Sequence, residues 1–171
     1  MAGPISRMPA RPLRRVFRRR AGHLVALGAV ANVLAVVVVV VFSALSLLHF
    51  YWTLGGNVGK FAAVPELSGR RAFVPSAVGT LVVAIGLALC ASLVAATGML
   101  VRPPIPGHWL RWLSYALALA LLARAIGDFR LVGFFKRARG TRFARLDSVA
   151  YAPVCLLLAV GVFYVAHINA T

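Results

Sequence analysis

The stretch Leu24–Leu48 reads LVALGAVANVLAVVVVVVFSALSLL, twenty-five residues without a charge, with six consecutive valines from Val36 to Val41. About 20 apolar residues span a hydrocarbon core of about 30 Å, so this run is long enough to cross a bilayer. Valine is a mediocre helix former in water. In lipid, however, each backbone amide must find its partner inside the segment, and an isolated strand cannot do that. The run therefore predicts a transmembrane helix. RPLRRVFRRR (11–20) precedes it and resembles the charged region of a leader peptide. The apolar stretch exceeds the 7–15 residues usual for such a leader, which predicts an uncleaved first span.

Three more runs follow: Val78–Leu100, Trp109–Gly127 and Val149–Ala166. The third holds Arg111 and Arg124 near its ends, and Pro153 near the start of the fourth predicts a bend in its first turns. The fold class is thus all-α, a bundle of four transmembrane helices. A basic tail, residues 1–23, precedes one transmembrane domain, residues 24–171. Composition agrees: 61% of the 171 residues are hydrophobic and only 13% are charged, far from a soluble surface.

The formal net charge is +16, with nineteen Lys and Arg against three acids. In a soluble protein this would point to nucleic acid. Here the basic residues lie almost wholly outside the apolar runs, and no aromatic-basic platform accompanies them. The expected partners are the bilayer and anionic headgroups rather than nucleic acid. The sequence is also compatible with a homo-oligomer.

Four spans place the N-terminal tail, loop 101–108 and the C-terminus on one side. Loops 49–77 and 128–148 lie on the other, here called the loop side. Basic residues number nine on the first side and ten on the loop side, so the positive-inside rule gives no asymmetry. Seven arginines crowded before the first span tilt the reading to cytoplasmic termini in the inner membrane. Trp109 and Trp112 on one side, and Tyr51 and Trp52 on the other, fit interfacial belts.

All three acids, Glu66, Asp128 and Asp147, fall on the loop side, as does His49. No acid lies inside a span, which argues against a proton-coupled transporter. Ala116, Ala120, Arg124 and Asp128 recur every four residues and predict an inward stripe ending in an Arg124–Asp128 ion pair. Ala84, Ala88, Ser92 and Ala96 of the second span form its expected packing partner. Asp147 reads as the N-cap of the fourth helix, with Ser148 as the competing cap. No metal-ligand spacing occurs, no cofactor is expected, and Cys90 and Cys155 differ too much in depth for a disulfide. The segment Gly55–Gly59, GGNVG, lacks the spacing of a nucleotide loop. Residues 129–146 suit an interfacial segment, with phenylalanines in lipid and arginines on phosphates.

His49-Phe50-Tyr51-Trp52 with Gly55-Gly56, the run Arg124-Ala125-Ile126-Gly127-Asp128-Phe129-Arg130, Gly133-Phe134-Phe135-Lys136-Arg137, Thr141, Phe143-Ala144, Asp147 and Pro153 together carry a likeness. Over residues 30–165 the chain resembles a family of small bacterial membrane proteins described as a domain of unknown function. The resemblance implies a four-helix membrane fold and no established activity. The arginine-rich residues 1–20 depart from the family's shorter N-termini.

The leading expectation is a non-catalytic membrane protein that binds a lipid headgroup, small anionic ligand or partner protein on the loop side. Arg124, Arg130, Tyr51, Trp52, Gly55 and Gly56 are its candidate contacts. The alternative is a membrane-embedded enzyme acting on lipid, with His49 and one carboxylate (Glu66, Asp128 or Asp147) as acid and base and Arg124 or Arg130 holding a phosphate or carboxylate. A small exporter is the third reading.

Overall fold

A computed structural model describes residues 11–64, 66–67, 70–71, 74–127, 132–136 and 140–169. Five α-helices run in the order α1 (Arg11–Thr53), α2 (Ala77–Thr97), α3 (Gly107–Ile126), α4 (Arg142–Leu146) and α5 (Ala152–Ile168). A 3₁₀ turn at Lys60–Ala63 and two antiparallel two-residue strands, β1 (Glu66–Leu67) and β2 (Arg70–Arg71), lie between α1 and α2. A π-helical turn at Asp147–Tyr151 joins α4 to α5. Among the described residues, four helical stretches are long and apolar enough to cross a membrane: Gly22–Thr53, Ala77–Thr97, Gly107–Ile126 and Arg142–Ile168. The protein is a multi-pass membrane protein of all-helical class.

α1 extends beyond the apolar run at both ends. Its 43 residues reach about 64 Å at 1.5 Å per residue, so its arginine-bearing start continues the helix past the hydrocarbon. The other end closes as a Schellman motif. Gly56 N–H donates to Tyr51 O (2.9 Å) and Gly55 N–H to Trp52 O (3.3 Å), and Gly55 takes the left-handed conformation, φ +98°. Ser76 caps α2, its Oγ accepting from Gly79 N–H at 3.0 Å.

α1 packs along α2, α3 packs along α5, and α1 and α5 meet across the centre. The core joins Ala35, Val38 and Phe42 of α1 to Ala91 and Val94 of α2, Ala118 of α3, and Leu158, Val162 and Val165 of α5. On α1 the buried positions 31, 35, 38, 42 and 46 follow one helical stripe. Of the six valines only Val38 is buried, while Val36, Val37 and Val40 face outward. Small residues let the backbones approach: a Cβ on Gly161 would stand 3.1 Å from Val38 Cγ2. Hydroxyls tie the helices. Ser46 Oγ donates to Ala84 O at 2.8 Å, and the Thr97 and Ser114 hydroxyls pair at 2.8 Å in the interior.

Three expectations need correction. The α3 face that enters the bundle carries Ser114, Ala118 and Ala125, whereas Ala116 and Ala120 are exposed. A four-residue repeat drifts around a 3.6-residue helix, so the stripe read from spacing does not stay on one face. On α2 the buried side includes Ala84 and Ala96 but leaves Ser92 exposed, and α2 lies chiefly against α1 rather than α3. Finally, Asp147 is not a helix N-cap. The last membrane helix begins at Arg142, capped by Thr141, whose Oγ1 accepts from Ala144 N–H at 3.0 Å. The Asp147–Tyr151 turn is where this helix accommodates Pro153. Ala152 N–H bonds back five residues to Asp147 O, and the wider turn relieves the clash of a proline ring with the carbonyl four residues before it.

Candidate functional site

Two pockets open on the loop side, and the 3₁₀ turn lines the first of them. The larger, about 400 Å³, is walled by the end of α1, the 3₁₀ turn and the start of α2. Its polar groups are His49, Lys60, Ser76 and Thr80, against Trp52, Ala63, Val64 and Val83. His49 Nδ1 bonds Leu45 O at 2.8 Å. A carbonyl can only accept, so Nδ1 carries a proton and Nε2 is the ring nitrogen left for a ligand. The imidazole meets the Trp52 ring edge to face, with centroids 4.7 Å apart. Trp52 is 7% exposed, and its indole N–H donates to Val58 O at 2.7 Å. It is thus a wall that pins loop 54–59, not a belt residue. Thr80 Oγ1 donates to Ser76 O, while the Lys60 ammonium has no hydrogen bond or ion pair among the described residues.

Tyr51, Gly55 and Gly56 do not line this pocket. Tyr51 is exposed and its ring lies on Gly56, where any Cβ would collide with it. The two glycines therefore close α1 rather than offer amides to a ligand.

Behind the second pocket lies a buried charge cluster centred on Asp147, which is fully buried. Arg124 Nη2 donates to its Oδ1 at 2.8 Å. Gly133 N–H donates to Oδ2 at 2.7 Å, and Lys136 Nζ reaches the same oxygen at 3.1 Å. The Lys136 side chain is 4% exposed, and its remaining donors go to Gly133 O (3.0 Å) and Ser148 Oγ (2.6 Å). This ammonium is as well satisfied as a buried one can be. With both oxygens engaged by cations and an amide, Asp147 is held as a charged, structural acceptor and is not free to move protons. The sequence marks Asp147 and Arg124 as candidates without pairing them, and it places Lys136 in a motif without marking it as a site residue.

Backbone geometry delivers these groups. Residues 132–136 fold back on the end of α3, where Phe134 N–H donates to Ala125 O at 2.9 Å and Phe135 N–H to Ile126 O at 3.4 Å. These bonds satisfy carbonyls that a helix end leaves open. The return requires Gly127 (φ +95°) and Gly133 (φ +86°) in direct contact. Tyr151 Oη donates to Ala62 O at 3.2 Å, tying the π turn to the 3₁₀ turn.

Of the other candidates, Asp128 and Arg130 lie outside the described residues. Glu66 is placed by its backbone, paired opposite Arg71. Among the described residues no group of three metal-ligating side chains converges.

A family model described as Protein of unknown function (DUF3995) matches residues 42–162. The match spans His49, both pockets and the Asp147 cluster, in keeping with the resemblance read from the motifs. No curated protein and no solved structure matches the chain.

Proposed function

The chain belongs to the family described as Protein of unknown function (DUF3995), and from that premise we propose that it is a non-catalytic membrane protein that binds a small anionic amphiphile beside His49, Trp52 and Lys60. One observation carries the reading: a largely apolar cavity of about 400 Å³ contains an ammonium group with no acidic partner among the described residues. The volume falls in the range of small-molecule sites, about 300–1,000 Å³. Lys60 pairs with the acidic head, and His49 Nε2 accepts a hydrogen bond, or donates one when the ring is protonated. Val83, exposed on the outer face of α2, continues the apolar wall toward lipid.

Purified protein in detergent tests this with dodecanoate and its neutral counterpart dodecanol, read by tryptophan fluorescence. The acid is expected to bind the tighter. Lys60→Gln should weaken it about tenfold, in line with the loss of one charge-assisted hydrogen bond, and leave dodecanol unchanged. Equal binding of acid and alcohol would remove the reading.

The finer placement is in the inner membrane with both termini cytoplasmic. It rests on four spans and on the arginines crowded before the first. A green fluorescent reporter should be bright at either terminus, and alkaline phosphatase inactive there. Reporters that disagree between the two ends would be incompatible with four spans.

A further inference from the structure

The second pocket, about 330 Å³, shares none of its described lining residues with the first. Its lining includes Phe134, Lys136, Thr141, Arg145 and Ser148, and no acid among the described residues. Thr141 Oγ1 is occupied as an acceptor by Ala144 N–H, and Ser148 Oγ as an acceptor by Lys136 Nζ. A hydroxyl that accepts still has its own proton to give, so both present donors. Arg145 is exposed, and its guanidinium has no partner among the described residues. Behind the lining, Arg124 and Lys136 share one carboxylate, which leaves that cluster with one net positive charge. Phe134 and Phe135 beside the pocket are exposed, at 43% and 64%, and phenyl rings next to cations mark a segment seated where acyl chains meet headgroups.

We propose that this pocket holds a phosphate group, with Thr141 and Ser148 donating hydroxyl protons and Arg145 giving the charged, forked contact. The donors alone would take a phosphate from any source. The exposed phenylalanines assign it to the headgroup of an anionic phospholipid. Arg145 meets phosphate with two parallel N–H donors, a geometry a lone ammonium does not offer. The Lys136 ammonium adds potential rather than a bond, because its donors are already engaged. The site is independent of the proposal for the His49–Lys60 pocket.

Native mass spectrometry of the full chain, released from micelles doped with phosphatidylglycerol or phosphatidylcholine, tests it. The wild type is expected to retain phosphatidylglycerol over phosphatidylcholine. Arg145→Gln should lower that retention about tenfold and Ser148→Ala by less, while Lys60→Gln leaves it unchanged. Arg102→Gln, an exposed charge on the opposite side, is the control for bulk electrostatics. Inorganic phosphate that fails to displace the lipid supports the headgroup as the source. Phosphate that displaces it, with the same dependence on Arg145, keeps the phosphate site but overturns the lipid assignment. Equal retention of the two lipids, wild-type retention by Arg145→Gln, or an equal loss with Arg102→Gln overturns the proposal. Arg145 is exposed, and its guanidinium has no partner among the described residues, so its variant is expected to fold. Matching thermal midpoints would establish that.

Discussion

Asp147→Asn is expected to remove most of the folded protein, measured as the monodisperse peak of a fluorescent fusion on size exclusion. The change keeps the shape and deletes the charge that two cations share. Breaking a buried ion pair from one side costs about 3–5 kcal/mol, because the partner is left charged and dry. That is a large part of a typical margin of about 5–15 kcal/mol. Burial then dictates which second change rescues. The Lys136 side chain is 4% exposed and has nowhere to discharge, whereas that of Arg124 is 35% exposed and can turn toward water or headgroups. Asp147→Asn with Lys136→Met should therefore recover most of the yield, and Asp147→Asn with Arg124→Gln little of it. A buried apolar side chain of similar length often replaces a buried ion without loss. Better rescue by Arg124→Gln, or wild-type yield in the single variant, would show that Asp147 is not the anchor its contacts imply.

The same cluster marks how far the sequence could be read. Hydropathy located all four spans, because the bilayer sets a length that a single sequence displays directly. It placed the start of the fourth too late. Arg142, Arg145 and Asp147 look like loop residues, and nothing in a hydropathy window indicates that one of them is buried. A local signal was available: Thr141, three residues before Ala144, is a capping residue placed where a helix can start. Local spacing also drew Arg124 toward Asp128, four residues on. Asp128 lies outside the described residues; among those described, the partner of Arg124 is Asp147, 23 residues away, a separation to which periodicity is blind. Lys136 sits in a run, FFKR, whose composition describes an interfacial segment equally well. Only its meeting with Asp147, Gly133 O and Ser148 explains an ammonium 4% exposed. Trp52 was misread for a related reason: its hydrogen bond to Val58 O depends on a turn that hydropathy does not encode.

Gly133→Ala is expected to be as damaging as the loss of Asp147, although it changes no charge. At φ +86° a side chain costs about 1–2 kcal/mol on conformation alone. Here a Cβ would also strike the backbone of Ile126 and Gly127, and no rotamer can move it away. Gly127 is constrained reciprocally. At φ +95° and ψ −178° it occupies a region open essentially to glycine alone, and a Cβ there would enter the Val132 carbonyl. Gly140 separates the two costs, because it has φ +85° but no described residue within 4 Å of the added carbon. Gly140→Ala should therefore show the conformational penalty only, a modest drop in thermal midpoint with yield preserved. Gly127→Ala and Gly133→Ala should give little folded protein. The damage should also reach the charge cluster, since Gly133 supplies both the N–H to Asp147 and the carbonyl to Lys136. If Gly133→Ala costs no more than Gly140→Ala, the backbone contact at Gly127 does not hold the loop. Residues 132–136 would then have to be kept in place by Lys136 and the backbone bonds of Gly133, Phe134 and Phe135.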